Sequence, residues 1–279
     1  MRALVLEGGG MRGAYTSGVL EAFAEASNGA GIYFDHIVSC SAGACNAASY
    51  LAGQAQRNRR IYLDYVDGDK LVRLHRFLTG GDIMDVDYLI DEVTLKLCPL
   101  DFKALVSSRT RLHIGVTDAV TGEPRYYNNH EDELTAVFRA TCALPFFYRS
   151  KAMIAGRRYV DGGVADPVPV TQAIRLGATD IIVVLTSAIE GRGVKRLRIP
   201  GIERLFSSSP AVRQLLRERY QRYKEASELL SSPPEGVGIR VVRPSQPLEV
   251  KRTTTERSRL EATCDLGLRD GRSFLNDAC

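Results

Sequence analysis

Long apolar runs are the first thing that this sequence of 279 residues lacks. Its longest unbroken aliphatic stretch is Ile181–Leu185, whereas a membrane-spanning helix needs about 20 predominantly apolar residues. The apolar stretch Ala3–Leu6 leads at once into glycines and is too short for the core of a secretory signal. We therefore expect a cytoplasmic protein that could meet a membrane only at its surface.

Metal-binding patterns are missing as well. None of the six cysteines stands in a C-x-x-C pair, and no histidine lies at zinc-finger spacing from two of them. With no export signal, the expected state of the cysteines is the reduced thiol. We expect no metal site and no bound cofactor.

Hydrophobic residues make up 44% of the chain and charged residues 25%, which is typical of an ordinary soluble globular protein and argues against disorder, collagen or coiled coil. No repeat and no convincing domain boundary is visible. We therefore expect a single α/β domain over residues 1–279, with a motif-bearing core in 1–190. Residues 191–279 form a basic C-terminal extension of that domain, with 18 basic and 11 acidic side chains.

A strand, a tight turn and a helix follow one another twice near the start of the chain. Arg2–Leu6 is followed by glycines and a helix over Ala14–Ala26, and Tyr33–Val38 by a small-residue helix toward Ala52. This rhythm is typical of a parallel α/β sheet. Further predicted elements are a hairpin of Arg111–Asp118 and Pro124–Asn128, a helix opened by Pro167, a strand over Asp180–Leu185, a helix over Pro210–Leu230 capped by Ser209, a strand over Gly238–Val242 and a helix over Arg257–Phe274.

The first motif, Gly8–Gly13, fits G-x-G-x-x-G and lies between a strand and a helix. Glycines let the backbone approach a ligand closely, and amides at a helix N-terminus point toward negative charge. That charge is either the pyrophosphate of a dinucleotide or the oxyanion that forms during acyl transfer. A tight turn that binds no ligand is a third interpretation of the same pattern.

The second motif, Ser39–Gly43, resembles the nucleophile elbow G-x-S-x-G and also lies between a strand and a helix. An elbow requires small residues two positions before and two positions after its nucleophile, which here is Ser41. Gly43 meets this requirement, and Ser39 is a small departure from the usual first glycine. A plain serine cap at the start of a helix is the alternative.

The third motif, Asp161–Gly163, follows a predicted strand, where α/β sheets place their ligands. In an α/β-hydrolase triad the order along the chain is serine, acid, histidine. No histidine follows Asp161, so a triad in that order cannot include it. If Ser41 is a nucleophile, its base is more economically an aspartate. The four histidines are His36, His75, His113 and His130.

Taken together, these motifs resemble those of the patatin-like phospholipases, which join a G-G-G-x-R-G loop, a G-x-S-x-G elbow and a downstream D-G-G or D-G-A. Gly8–Gly13 matches the first in full, Ser39–Gly43 matches the second except at Ser39, and Asp161–Gly163 matches the third. Ala140–Phe147 is similar to a further family segment, A-S-x-A-x-P-x-x-F. The resemblance covers roughly residues 1–190.

The resemblance implies a three-layer fold with a mostly parallel sheet, and a serine hydrolase acting on carboxylic esters of lipids, in the manner of a phospholipase A or lysophospholipase. It implies a dyad in which Ser41 attacks the ester and Asp161 accepts the proton. It further implies an oxyanion loop and small supporting residues. The loop comprises Gly8, Gly9, Gly10, Arg12 and Gly13, where Arg12 is expected to be structural, and the support comprises Ser39, Gly43, Gly162 and Gly163.

Other interpretations stay open at this point. The departure at Ser39 is compatible with a weakly active or inactive lipid-binding protein. Gly8–Gly13 with Asp35 could serve a dinucleotide-dependent oxidoreductase, although Asp35 starts a predicted strand instead of ending one. Cys40 beside Ser41 is a less favoured nucleophile. No nucleic-acid-binding module is recognised, so nucleic acid is not an expected partner.

A basic segment, Arg192–Lys224, carries ten basic residues against Glu203 and Glu218. An anionic membrane surface is therefore a candidate partner beside the lipid ester itself. The apolar face of the helix within this segment is expected to pack on the protein core. The loop Arg192–Arg204 is the better candidate for membrane docking.

Overall fold

A central eight-stranded β-sheet organises the computed structural model, which describes residues 1–26, 32–73, 76, 81–131, 133–148, 152–187 and 209–277. Its strands are β1 Arg2–Leu6, β2 His36–Cys40, β3 Arg111–Asp118, β4 Pro124–Asn128, β5 Ala152–Ile154, β6 Arg157–Asp161, β7 Asp180–Val184 and β8 Gly238–Val242. They lie in the order β5-β6-β3-β2-β1-β7-β8, and β4 pairs with β3. The run β3-β2-β1-β7-β8 is parallel, whereas β4, β5 and β6 pair antiparallel.

Helices cover both faces of this sheet, which confirms the predicted three-layer α/β fold. They are α1 Gly13–Glu25, α2 Ser41–Leu51, α3 Ala55–Arg60, α4 Phe102–Ser107, α5 Leu134–Thr141, α6 Val170–Arg175, α7 Pro210–Ser231 and α8 Arg257–Asn276. Two π-helical segments occur at Ile61–Tyr65 and Tyr88–Leu97, and short 3-10 helices occur at Gly10–Arg12 and Gly162–Val164.

Strand β1 shows how the alternation of side chains builds the two interfaces. Leu4 and Leu6 belong to the large apolar core that includes residues of α1 and α2. Ala3 and Val5 point to the opposite face and belong to a second core with residues of α6 and α7. All four side chains are fully buried, as expected for a parallel strand that is covered on both faces.

Two predicted elements begin three residues later in the structure than expected. The helix expected at Pro167 begins at Val170, because Pro169 disfavours helical geometry at the residue before it. The second strand begins at His36 instead of Tyr33. The Asp35 side chain immediately before it accepts a hydrogen bond from the Arg2 amide at 2.7 Å. The predicted hairpin and the serine cap of α7 are confirmed, and Ser209 Oγ accepts from the Val212 amide at 3.3 Å.

The register of β3 brings two strand ends together. Gly115 pairs with Cys40, the last residue of β2, and the next residue, Val116, pairs with Asp161, the last residue of β6. Strand β4 runs along both Gly115 and Val116 on one edge of β3, so the ends of β2 and β6 share the other edge. The chain therefore leaves the antiparallel strand β6 beside the point where it leaves the parallel strand β2.

The C-terminal region extends the same layers. Strand β8 adds to the sheet beside β7, and α8 packs so closely along α1 that a side chain at Gly267 would collide with the Tyr15 carbonyl. The apolar face of α7 packs inward through the buried residues Val212 and Leu215, as predicted. Within the described ranges, no helix has the length and apolar character needed to cross a bilayer. The proposed docking loop, residues 192–204, lies outside those ranges.

Candidate active site

Ser41 occupies a strained turn at the end of β2. Its φ angle is 55°, in the left-handed region that non-glycine residues rarely adopt and that is often found at functional sites. The residue is 6% exposed, and it begins helix α2. The turn therefore has the geometry of a nucleophile elbow, with Ser41 at its tip.

The two small residues of the elbow contact one another. Ser39 is fully buried, and its hydroxyl donates to the Leu6 carbonyl of the neighbouring strand at 2.9 Å. A side chain at Gly43 would collide with the Ser39 Oγ atom. Ser39 is not in the left-handed region, so the strained position of this elbow is Ser41 and not Ser39.

We expect the Ser39→Gly variant to fold and to keep its activity. The substitution removes one buried hydrogen bond and adds backbone freedom, so the free energy of unfolding should fall by about 1–2 kcal/mol. Chemical denaturation and ester hydrolysis measured side by side test this expectation. A folded Ser39→Gly protein with a severe loss of activity would show that Ser39 does more than fill the elbow.

Thr141, at the end of α5, fixes the elbow from the other side. Its buried Oγ1 atom accepts a hydrogen bond from the Ser41 amide at 2.8 Å and donates one to the Gly115 carbonyl at 2.6 Å. Sequence reasoning gave Thr141 no role, although it lies in Ala140–Phe147, the segment that carries part of the family resemblance. The side chain bridges the elbow and β3.

We expect Thr141→Val to lower the free energy of unfolding by about 2 kcal/mol or more, because it leaves a buried amide and a buried carbonyl without partners. Turnover should fall as well, since the Ser41 backbone loses its anchor. Thr141→Ser is the matched control, because it keeps the hydroxyl and should keep most of both properties. Equal turnover in the valine and serine variants would show that Thr141 does not position Ser41 for catalysis.

Asp161 is the last residue of β6 and is 2% exposed. Burial raises the pKa of its carboxyl to about 6, while a hydrogen bond from Ser41, the Gly163 amide and the charge of Arg219 act in the opposite direction. Its Oδ1 atom accepts from the Gly163 amide at 2.8 Å. Its Oδ2 atom has no partner with good hydrogen-bonding geometry among the described residues, so the Ser41 contact is loose. Catalytic hydrogen bonds are often long or poorly aligned before substrate binds.

The glycine loop lies against this elbow. A side chain at Gly8 would lie 3.2 Å from the Ser41 Cβ atom. The Gly8 amide points to the Cys40 thiol and acts to lower its pKa. No hydrogen bond runs from the Gly9 or Gly10 amide to another described residue. These two amides are available to a ligand.

Arg12 and Gly13 lie behind the loop. Arg12 Nη2 is 3.3 Å from Oε1 of the buried Glu7, whose Oε2 accepts from the Thr186 amide at 2.7 Å. The Gly13 carbonyl accepts from the Asn46 side chain at 2.8 Å. Neither Arg12 nor Gly13 lines the cavities around Ser41. Gly162 lies against β3, where a side chain would collide with the Gly115 carbonyl.

Two cavities meet at Ser41. The first is a partly open pocket of about 290 Å³ that is lined by Ser41, Asp161 and the loop Gly8–Gly10. The second is a partly open pocket of about 640 Å³, and its wall is mainly apolar. Both include Ser41, Gly10 and Leu144 in their linings. The apolar residues of the second cavity include Ile61, Val66, Leu71, Met84 and Leu89.

Histidine and cysteine are poorly placed as alternatives. No described histidine lines a cavity that contains Ser41. Cys40 is 1% exposed, and burial raises the pKa of its thiol well above the usual value. Because only the thiolate is a strong nucleophile, Cys40 is unsuited to the role. Among the described residues, no group of three histidine, cysteine or acidic side chains could hold a metal ion.

Asp35 cannot complete a dinucleotide site. It precedes β2 and bonds to the Arg2 amide, so it lies at the opposite edge of the sheet from the glycine loop. A dinucleotide fold places its ribose-binding acid at the same edge as its glycines. The interpretation that Gly8–Gly13 and Asp35 together form the dinucleotide site of an oxidoreductase is therefore wrong.

Three side chains of the C-terminal region also line the first cavity: Arg219 and Tyr223 of α7, and Arg252 in the loop before α8. The sequence analysis gave none of the three a role at the site. The i, i+4 spacing of Arg219 and Tyr223 puts them on one helix face, yet nothing local indicates that this face meets the glycine loop.

Comparison with known proteins agrees with the motifs. The family described as patatin-like phospholipase matches residues 4–174, and a domain family of unknown function, DUF6363, matches residues 209–278. The uncharacterized protein YjjU of Escherichia coli (strain K12) is 30% identical over 283 residues, which cover 98% of this chain and 76% of YjjU. The crystal structure of VipD from Legionella pneumophila aligns with a TM-score of 0.47 and 13% identity over 99% of this chain and 67% of VipD. On the family match, which spans more than half of its residues, the chain belongs to the patatin-like phospholipase family of lipid hydrolases.

Proposed function

We propose that the protein hydrolyses carboxylic esters of lipids with Ser41 as nucleophile and Asp161 as general base. One observation carries this proposal. Ser41, at the tip of a strained elbow, shares a small cavity with a buried carboxyl whose pKa is raised to about 6. A carboxylate of that basicity is a better proton acceptor at neutral pH than an ordinary aspartate.

In the first step, Ser41 Oγ attacks the ester carbonyl carbon and its proton passes to Asp161 Oδ2. That oxygen has no competing partner among the described residues, whereas Oδ1 is held by the Gly163 amide. The Gly9 and Gly10 amides then donate hydrogen bonds to the former carbonyl oxygen, which carries the negative charge. One such donor contributes about 10²–10³ in rate.

The alcohol leaves with the proton from Asp161, and the acyl group stays on Ser41. Water then attacks this acyl-enzyme while Asp161 accepts a proton for the second time. The apolar cavity of about 640 Å³ next to Ser41 suits the acyl chain, because burial of each methylene contributes about 0.8 kcal/mol. The bond between the acyl carbon and Ser41 Oγ then breaks, Asp161 returns the proton to Ser41 Oγ, and the carboxylic acid is released.

Labelling with an active-site fluorophosphonate tests the proposal directly. The reagent phosphonylates an activated serine, so the wild-type protein should be labelled and the modified peptide should contain Ser41. Heat-unfolded protein and the Ser41→Ala variant are the controls and should remain unlabelled. A folded wild-type protein that neither reacts nor hydrolyses short-chain esters would contradict the proposal and favour an inactive lipid-binding protein.

A further inference from the structure

Two arginines of the C-terminal region lie at the candidate active site. Arg219 and Arg252 line the cavity of about 290 Å³ that holds Ser41 and Asp161. Both also line a neighbouring cavity of about 580 Å³, whose lining shares Leu144 and Gly163 with the first. Two positive charges therefore border the path that leads away from Ser41.

Neither charge is neutralised within the part of the chain that the structure describes. No described carboxylate lies within ion-pair distance of Arg219 or Arg252. Glu7 is nearby, but it already forms an ion pair with Arg12 at 3.3 Å and accepts a hydrogen bond from the Thr186 hydroxyl. Each arginine makes one long side-chain hydrogen bond, of 3.4 Å, to the Tyr223 hydroxyl. A guanidinium has five donor hydrogens, so most of them remain available to a ligand.

Tyr223 holds the two side chains in place. Its hydroxyl accepts from both arginines and donates to Glu7 Oε1 at 3.2 Å. The guanidinium of Arg219 lies over its ring, 5.4 Å from the centroid. The backbone at Arg252 is tied to the glycine loop, because its carbonyl accepts from the Met11 amide at 3.2 Å. The pair is therefore preorganised before any ligand arrives.

We propose that Arg219 and Arg252 bind an anionic group on the alcohol side of the scissile ester and so select negatively charged lipids over neutral ones. The inference rests on the proposed function, because it places the acyl chain in the apolar cavity and the alcohol portion beside the arginines. Phosphate and carboxylate groups both match the planar fork of a guanidinium. A purely local role, in which Arg219 only tunes Asp161, predicts no such selectivity.

Three matched substrates test the proposal, each with two hexanoyl chains and used as a monomer in solution. They are 1,2-dihexanoylglycerol, its 3-phosphate, and 2,3-bis(hexanoyloxy)propanoate, in which a carboxylate replaces the third carbinol group. In the wild-type protein we expect kcat/KM for an anionic ester to exceed that for the neutral ester by about 10-fold or more. This is the range for a charge-assisted hydrogen bond. Preference for the phosphate or for the carboxylate identifies the anion.

The ratio of anionic to neutral kcat/KM is the readout in the variants. It should fall about 3-fold or more in Arg219→Gln and in Arg252→Gln, and it should approach one in the double variant, which loses both contributions. Lys224→Gln is the charge-matched control, since Lys224 lies on the same helix and pairs with Glu228 at the surface. Its ratio should equal that of the wild type. An unchanged ratio in the double variant, or no preference in the wild type, overturns the proposal.

Binding to the Ser41→Ala variant separates this inference from the proposed function. Isothermal titration should show the 3-phosphate bound at least about 10-fold more tightly than dihexanoylglycerol, with the difference lost when both arginines are replaced. Hydrolysis at an unchanged ratio would overturn the anion site and leave the serine hydrolase standing. Arginine-dependent binding in a protein that hydrolyses no ester and is not labelled by fluorophosphonate would support the anion site and contradict the hydrolase.

Discussion

The Ser41→Ala variant should lose ester hydrolysis by at least about 10⁴-fold, because removal of a nucleophile leaves only binding and oxyanion stabilisation. The fold should survive. Alanine fits the same buried turn, and the hydrogen bond from residue 41 to Thr141 is made by the backbone amide. Initial rates on a short-chain ester, fluorophosphonate labelling and thermal unfolding together check this expectation.

Ser41→Gly provides the matched control. A glycine tolerates the φ angle of 55° that residue 41 adopts, so this variant should be more stable than Ser41→Ala by about 1 kcal/mol. Both variants should be equally inactive. Lower stability of the glycine variant would show that the elbow is not strained, and wild-type turnover in either variant would exclude Ser41 as the nucleophile.

The candidate site was predictable where its residues are tied to strand ends. Gly8–Gly13 follows β1 and Ser39–Gly43 spans the end of β2. These strands are parallel neighbours, so both motifs had to meet at one edge of the sheet. The sequence alone could not show why Asp161 joins them. That depends on the antiparallel strand β6 pairing with β3 directly beyond the end of β2, which is a long-range register.

The remainder of the site depends on contacts that local patterns do not encode. Thr141 reaches the elbow across α5, and Arg219 with Tyr223 reaches the glycine loop from a helix that the motifs do not cover. On the sequence, α7 is a helix whose apolar face is expected to pack on the core and whose first half belongs to the basic segment Arg192–Lys224. Only its packing against the sheet shows that part of its polar face borders a cavity.

Asp161→Asn should lower kcat/KM by about 10²–10⁴, the usual contribution of a general base. Asparagine keeps the size of the side chain and can still accept from the Gly163 amide, but it cannot take the Ser41 proton. The wild-type rate should rise about tenfold per pH unit below pH 6 and level off above it, as the carboxyl ionises near its pKa of about 6. The residual rate of the variant should lack this step. A matching pH profile in both proteins would assign the step to another group.

The free energy of unfolding should change with pH in the opposite direction to the rate, because it falls as the pH rises. The pKa of Asp161 rises from 3.8 to about 6 because burial disfavours the ionised form, so the folded state binds the proton more tightly than the unfolded state. The stabilisation that results from this tighter proton binding is complete below pH 3.8 and is lost as pH rises through 6. At pH 7 the ionised Asp161 carboxylate makes the free energy of unfolding lower than with the protonated carboxyl, by on the order of 3 kcal/mol. Asp161→Asn, which carries no charge, should therefore be more stable than the wild type at pH 7, and the difference should shrink toward pH 4. Denaturant titrations at both pH values measure it. Lower stability of the asparagine variant at neutral pH would show that the buried carboxylate is compensated by its neighbours and is too weak a base for the proposed role.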